Sequence, residues 1–159
     1  MNKYLLILFF LIFFQSELKS KEIIGKPIIH DGDSIKINNE KIRFSDIDAF
    51  EKKQTCKKNE IKYKCGEEAI KNLSTIISNQ KIRCVTKKKD PYKRWLATCY
   101  IGKLNINENM VLFGNAFSYM SKKYKNTEND AKKVKAGAWS GEFIFPWEWR
   151  KLKKNNFSR

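Results

Sequence analysis

The chain has 159 residues with 33 Lys and Arg against 17 Asp and Glu, a formal charge of +16 and a sequence pI near 9.7. That length accommodates one domain with a real core and excludes a multidomain machine. With 42% hydrophobic and 13% aromatic residues and three prolines, the composition is that of a packed protein, not of a disordered basic tail. The charge points to a polyanion as partner, whether nucleic acid, an anionic membrane or an acidic polymer, and names no chemistry.

Residues 1 to 20 read as a secretory leader: Lys3, an unbroken apolar run from Tyr4 to Phe14, then a polar stretch from Gln15 to Ser20. The apolar run is too short for a span of about 20 residues. Leu18 departs from the small-x-small ideal for cleavage after Ser20, so an uncleaved N-terminal anchor is the alternative. The expected folded domain is therefore 21 to 159, exported to the periplasm or beyond.

Ile23 to His30, Ser34 to Ile37 and Lys41 to Phe44 read as three short strands joined by Asp-Gly and Asn-Asn turns. From Glu67 to Ser78, the spacing of Ala69, Ile70, Leu73, Ile76 and Ile77 marks one face of a helix. Lys81 to Thr86 and Trp95 to Ile101 read as two more strands, joined by the basic loop K-K-K-D-P-Y-K-R. Asn105 with Glu108 starts a helix over about 106 to 113, stopped by Gly114, and Thr127 with Asp130 starts a third that ends at Gly137. Five short strands with three helices predict an α+β domain built on a small barrel. The aromatic tail F-I-F-P-W-E-W-R is expected to pack across it, with Trp139 and Trp147 in the core.

Four cysteines, Cys56, Cys65, Cys84 and Cys99, follow the leader, an even count that suggests two disulfides among three possible connectivities. Zinc is the weaker reading, because no C-x-x-C occurs and His30 is the only histidine. Position favours near neighbours. Cys56 and Cys65 bracket a short polar loop, and a hairpin with its tip at Pro91-Tyr92 sets Cys84 opposite Cys99.

Six of the seventeen acidic residues fall between positions 31 and 51: Asp31, Asp33, Glu40, Asp46, Asp48 and Glu51, with only Lys36, Lys41 and Arg43 as bases. Carboxylates gathered in this way repel one another unless a cation sits among them, and such oxygen donors suit a hard divalent ion. Asp31-Gly32-Asp33 by itself is an ordinary turn signal, and its surroundings do not match an EF-hand loop. Arg43 leads from a strand into the acidic loop, and Arg94 follows the hairpin tip. Their planar forks match phosphate oxygens as Lys does not. A divalent cation, two such forks and a carboxylate able to activate water are the parts needed to cleave a phosphodiester.

The segments H-D-G-D-S-I, I-R-F-S-D-I-D-A-F-E, D-P-Y-K-R-W-L-A-T, L-N-I-N-E-N-M-V-L-F-G-N-A and A-K-K-V-K-A-G-A-W, in this order and spacing across 23 to 140, resemble the staphylococcal-nuclease-like (thermonuclease) family. The tail G-E-F-I-F-P-W-E-W-R resembles that of exported bacterial members. The resemblance implies an OB-fold five-stranded barrel with three helices and a calcium-dependent nuclease acting on DNA and RNA, leaving 3′-phosphate ends. By matching position, it implies that Asp33 and Asp48 supply calcium carboxylates, Ala49 a backbone carbonyl, and Asp31 a contact through water. Glu51 would orient or deprotonate the attacking water, and Arg43 and Arg94 would clamp the scissile phosphate. Tyr92, Lys93 and Tyr119 are candidates for nucleic-acid contacts. The chain departs from the family pattern at Phe50, where proline is common, at Ser34 in place of Thr, and at Lys93 in place of Gly. The first departure is expected to loosen the loop carrying Glu51, and the last to restrict the turn that aims Arg94.

Two rival classes remain. An OB-fold nucleic-acid-binding module without catalysis would bind DNA but show no calcium-stimulated cleavage; the complete charged set argues against it. A membrane-active protein is disfavoured because no basic amphipathic helix stands out after the leader, and nothing demands more than a monomer.

Overall fold

The computed structural model describes residues 20 to 157, so the expected leader, apart from its last residue, lies outside the described residues. The chain runs β1 (Glu22–Gly25), β2 (Ile28–Asp31), β3 (Ser34–Ile37), β4 (Glu40–Phe44), β5 (Ile47–Ala49), β6 (Cys56–Lys58), β7 (Ile61–Tyr63) and α1 (Cys65–Ile77). It continues through β8 (Ile82–Lys89), β9 (Trp95–Ile101), β10 (Leu104–Asn105), α2 (Ile106–Leu112), β11 (Ala116–Ser118), α3 (Lys125–Lys133), a 3-10 turn (Gly137–Ser140) and α4 (Pro146–Phe157).

A mixed sheet in the order β1-β8-β9-β4-β3-β2, with β10 added on β9, forms the frame. Among the described strands only β4 and β9 run parallel, with Ile42 opposite Trp95 and Phe44 opposite Ala97. Alternation decides which face is buried: Ile35 and Ile37 from β3 and Ile82 and Cys84 from β8 point inward. The sheet curls into a half-barrel. Asn38 Nδ2 donates to the Ile24 carbonyl at 3.1 Å, and a Cβ at Gly25 would lie 2.6 Å from Ile37 Cγ2, so the β1 edge returns close to β3.

Helix α1 closes the barrel with Ala69, Leu73 and Ile77, one stripe at four-residue spacing, all buried. Helix α2 begins where expected: the Asn105 side chain accepts from the Glu108 N–H at 3.2 Å, and Ile106, Met110 and Val111 are buried. Beside the main core lies a second, aromatic cluster in which Phe117 packs against Phe50, Trp139, Phe143 and Phe145 at centroid distances of 5.0 to 5.3 Å.

The α+β barrel therefore stands, with differences in detail. The strand expected over Ile23–His30 is two strands, broken at Lys26-Pro27, because proline has no N–H to continue a ladder. Between Cys56 and Cys65 the polar loop is a hairpin, β6-β7, turned by Asn59 and Glu60 at φ +49° and +63°. Helix α3 begins at Lys125, two residues before the expected cap. The aromatic tail contains a fourth helix, α4, whose first residue is Pro146, where a missing N–H is harmless. Trp139 and Trp147 are half-buried, not core. Both rings pack edge-on against Phe117, and among the described residues Trp139 Nε1 has no hydrogen-bond partner.

Candidate active site

The turn from β2 to β3 carries Asp31, Gly32 and Asp33. A Cβ at Gly32 would lie 2.8 Å from the Ala49 Cβ and 3.0 Å from the Ala69 Cβ, so glycine lets this turn settle between β5 and α1. Asp31 Oδ1 accepts from the Gly32 N–H at 2.8 Å, and burial pushes its carboxyl above the ordinary value. Asp33 is buried. Its Oδ1 accepts from Arg43 Nη1 at 3.0 Å and its Oδ2 from the Ala49 N–H at 3.2 Å. Burial pushes the Asp33 carboxyl up to about 7; Arg43 opposes that rise and the neighbouring Asp48 adds to it.

After β4 the chain reverses at Asp46, φ +65°, and the reversal brings Asp48 back against the same guanidinium. Arg43 Nη2 donates to Asp48 Oδ1 at 2.6 Å, so one fork spans Asp33 and Asp48. Asp48 is wholly buried on β5, which pairs with β11 through Asp48 opposite Phe117.

Glu51 follows on a loop that is fixed on every side. Its N–H donates to Gln54 Oε1 at 3.2 Å, its carbonyl accepts from the Gln54 N–H at 2.7 Å, and Gln54 Nε2 donates to the Ile144 carbonyl at 2.6 Å. A Cβ at Gly66, at the start of α1, would collide with the Glu51 carbonyl. Phe50 is 2% exposed and makes edge contacts with Phe117 and Phe143 at 5.1 and 5.7 Å. The loosening expected from the absent proline is therefore not what the packing gives. Aromatic burial does the anchoring instead. The Cys56–Cys65 disulfide ties the end of this loop to α1, and Cys84–Cys99 staples directly opposed residues of β8 and β9.

Arg94 leaves the β8-β9 turn, and Asp90 holds it: Arg94 Nε donates to Asp90 Oδ2 at 2.8 Å and the Arg94 N–H to Oδ1 at 2.9 Å. Lys93 sits in this turn at φ +62°, the left-handed conformation in which glycine is comfortable. Tyr92 is 78% exposed, and its ring centroid lies 5.4 Å from the Arg94 guanidinium carbon. Tyr119 stacks on Trp147 at 5.2 Å.

Asp31, Asp33, Arg43, Glu51, Arg94, Tyr92 and Tyr119 all line one cleft of about 550 Å³ together with Ala49; Lys93 and the wholly buried Asp48 do not line it, Asp48 meeting the site through Arg43 and Arg150. Besides Asp48, two more members of the acidic stretch lie outside the cleft: Asp46 pairs with Lys87 at 2.7 Å, and Glu40 accepts from Trp95 Nε1 at 2.9 Å. Sequence reasoning missed Arg150, which also lines the cleft. From α4 it donates to both Asp48 oxygens, at 3.1 and 2.8 Å, and to Glu51 Oε1 at 2.6 Å. Burial opposes the charge on Arg150, but the bonds to Asp48 and Glu51 outweigh it and hold the guanidinium above its ordinary pKa. Nothing local in P-W-E-W-R announces this contact. Asp90 was legible in principle, since Asp before proline favours a turn closed by its own side chain.

The model of the family described as staphylococcal nuclease homologue matches residues 41–141. The chain belongs to the staphylococcal nuclease homologue family. With it the chain joins the phosphodiester-cleaving hydrolases. An "Uncharacterized endonuclease" of Haemophilus influenzae is 33% identical over 140 residues, covering 82% of this chain and 74% of the relative. The "Succinoglycan biosynthesis protein ExoI" of Rhizobium meliloti is 30% identical, covering 77% of this chain and 68% of that protein. The "Probable staphylococcal-like nuclease CAN3" of Oryza sativa is 26% identical over 87% of this chain but only 36% of its own length. In this nuclease homologue, the match begins after Asp31 and Asp33 and ends before Arg150.

Proposed function

We propose that the chain is an exported, calcium-dependent nuclease that hydrolyses DNA and RNA phosphodiesters with little sequence specificity and leaves 3′-phosphate ends. One observation carries the reading. Arg43, Arg94 and Glu51 open on the same cleft as Asp33, which shares the Arg43 fork with Asp48.

The donor chemistry fits calcium. Four carboxylates, Asp31, Asp33, Asp48 and Glu51, gather about the guanidiniums of Arg43 and Arg150, so the side chains offer only hard oxygen donors to a cation. Among the described residues no three Asp, Glu, His or Cys side chains form a ligand cluster. By the family resemblance, the protein's share would be Asp33, Asp48 and the Ala49 carbonyl, with Asp31 acting through water, and water and substrate completing a shell of 6 to 8 oxygens. A bound calcium ion would supply Lewis-acid stabilisation of the phosphate oxygens.

The chain's own residues do the rest. Arg43 and Arg94 would hold the scissile phosphate and offset charge growing on its oxygens. Glu51, with a carboxylate 28% exposed at the cleft, would orient the attacking water and accept its proton. The water oxygen would bond to phosphorus as the 5′ oxygen departs, taking a proton from solvent. The remaining lysines and arginines would gather the polyanion without reading its sequence, and this capture would weaken as salt rises.

Two disulfides support an oxidising compartment, periplasmic or extracellular, and the apolar stretch at 4 to 14 supports export. Among the described residues no helix is long and apolar enough to cross a membrane. The test is cleavage of single-stranded DNA and of RNA by the mature domain with calcium, magnesium or chelator. Calcium-dependent cleavage of both, with 3′-phosphate ends, supports the reading; DNA binding without cleavage would replace it with the inactive binding module.

A further inference from the structure

We propose that Arg150 is an exchangeable counter-ion of the active site. It holds Asp48 and Glu51 when no divalent cation is present, gives up Asp48 to the cation, and then engages the substrate phosphate beside Arg43 and Arg94. The inference rests on the nuclease reading for the cation and the phosphate, and on the geometry of α4 for the rest.

The approach of Arg150 is built into the fold. The segment before α4 is fastened to the far end of the Glu51 loop by a two-way backbone bridge, in which the Lys57 N–H donates to the Glu142 carbonyl and the Glu142 N–H to the Lys57 carbonyl, both at 2.9 Å. Gln54 Nε2 clamps the Ile144 carbonyl, and Phe145 stacks on Trp147 at 4.5 Å with nearly parallel rings. Helix α4 starts at Pro146, and Arg150, about one turn later, reaches back to a carboxylate 102 positions earlier in the chain.

The occupancy of Asp48 forces an exchange. Arg150 takes both of its oxygens and Arg43 takes one of them again, so two guanidiniums surround a wholly buried carboxylate. A hard cation that binds Asp48 must displace one of them. Arg43 is 17% exposed and is also locked onto Asp33, whereas Arg150 is 37% exposed and lines the cleft. Arg150 is therefore the one that moves. Its second partner, Glu51, lies in the cleft, so the released fork remains where a phosphate would sit, and a planar fork matches phosphate oxygens. Before exchange the contact also offsets the repulsion between the Asp48 and Glu51 carboxylates.

The experiment compares the wild-type mature chain with Arg150→Gln and Arg150→Lys. Calcium affinity is read by isothermal titration calorimetry and by the calcium-induced rise in Tm. Binding of a deoxynucleoside 3′-monophosphate, a product-like probe with no phosphodiester to cleave, is read in calcium. Removing a competing charge from Asp48 should tighten calcium binding of Arg150→Gln by about tenfold and enlarge the rise in Tm, while weakening the nucleotide by about tenfold. Arg150→Lys, which keeps the charge without the fork, should fall between and serves as the readout if Arg150→Gln fails to fold. Unchanged or weaker calcium binding in the variants, or an unchanged nucleotide affinity, overturns the exchange. If the wild type neither binds calcium nor cleaves DNA, the nuclease reading falls and takes the exchange with it; if it does both and the variants match it, the exchange falls alone.

Discussion

Asp90 grips Arg94 at two points, its Oδ2 accepting from the guanidinium Nε at 2.8 Å and its Oδ1 from the Arg94 backbone N–H at 2.9 Å. The hairpin tip thus aims a cation into the cleft. Asp90→Asn should leave the fold intact and lower kcat by about 100-fold, the scale of a misplaced group of about 1 Å, with a smaller change in KM. Burial raises the Asp90 pKa, but the bonds from Arg94 and Tyr92 outweigh it and hold the carboxyl below its ordinary value. A depressed folded pKa contributes stability above the unfolded value of about 3.9 that is lost as pH falls through the folded one. The wild type should therefore lose more stability than Asp90→Asn on acidification below about pH 4, as read by thermal melts.

Lys93 at φ +62° carries a strain that glycine at this position would avoid. A left-handed residue other than glycine costs roughly 1 to 2 kcal/mol, part of which is offset by the greater chain entropy of glycine in the unfolded state. Lys93→Gly should stabilise the protein by about 0.5 to 1 kcal/mol by chemical denaturation, with Arg94 still held by Asp90 and activity retained. Destabilisation would show that the Lys93 side chain does more for this turn than its backbone conformation costs.

Phe50 is the anchor under Glu51. Phe50→Ala should cost about 3 to 5 kcal/mol, the range for a buried aromatic ring, and should lower activity further than stability alone explains because the loop loses its footing. Proteolysis that cuts near 50 to 55 in the variant and spares the wild type would report the freed loop.

The two disulfides close loops of 9 and 15 residues by sequence separation. Chain-entropy arguments assign them roughly 2.5 and 3 kcal/mol. Reduction should lower Tm, and Cys56→Ser with Cys65→Ser should reduce activity more than Cys84→Ser with Cys99→Ser, since only the first pair fixes the loop that carries Glu51. Equal losses from both pairs would remove this link between the disulfide and the site.

What the sequence made legible follows from distance along the chain. Asp31, Asp33, Arg43, Asp48 and Glu51 lie within a few turns and strands of one another, so their concentration in a basic chain was visible before any fold. Helix α1 was legible from its apolar stripe, and Cys84 opposite Cys99 from the symmetry of one hairpin. The pairing β4-β9 is parallel and joins segments about 50 residues apart, which no local pattern announces. Arg150 was hidden for the same reason. Its helix reads as an aromatic tail, and its partners lie 99 and 102 positions away. Pro27 could have divided the first strand, since a proline within a β run marks an edge or a break.

In the proposed function, Glu51 works on water beside a calcium ion in this cleft. The most direct measurement is the rate of single-stranded DNA cleavage by wild type and Glu51→Gln, with calcium and with chelator, at equal protein stability. The expected result is cleavage by the wild type only with calcium, and a loss of about 100- to 10,000-fold in Glu51→Gln with DNA binding retained. Equal rates for the two proteins, or wild-type cleavage that persists undiminished in chelator, would contradict it.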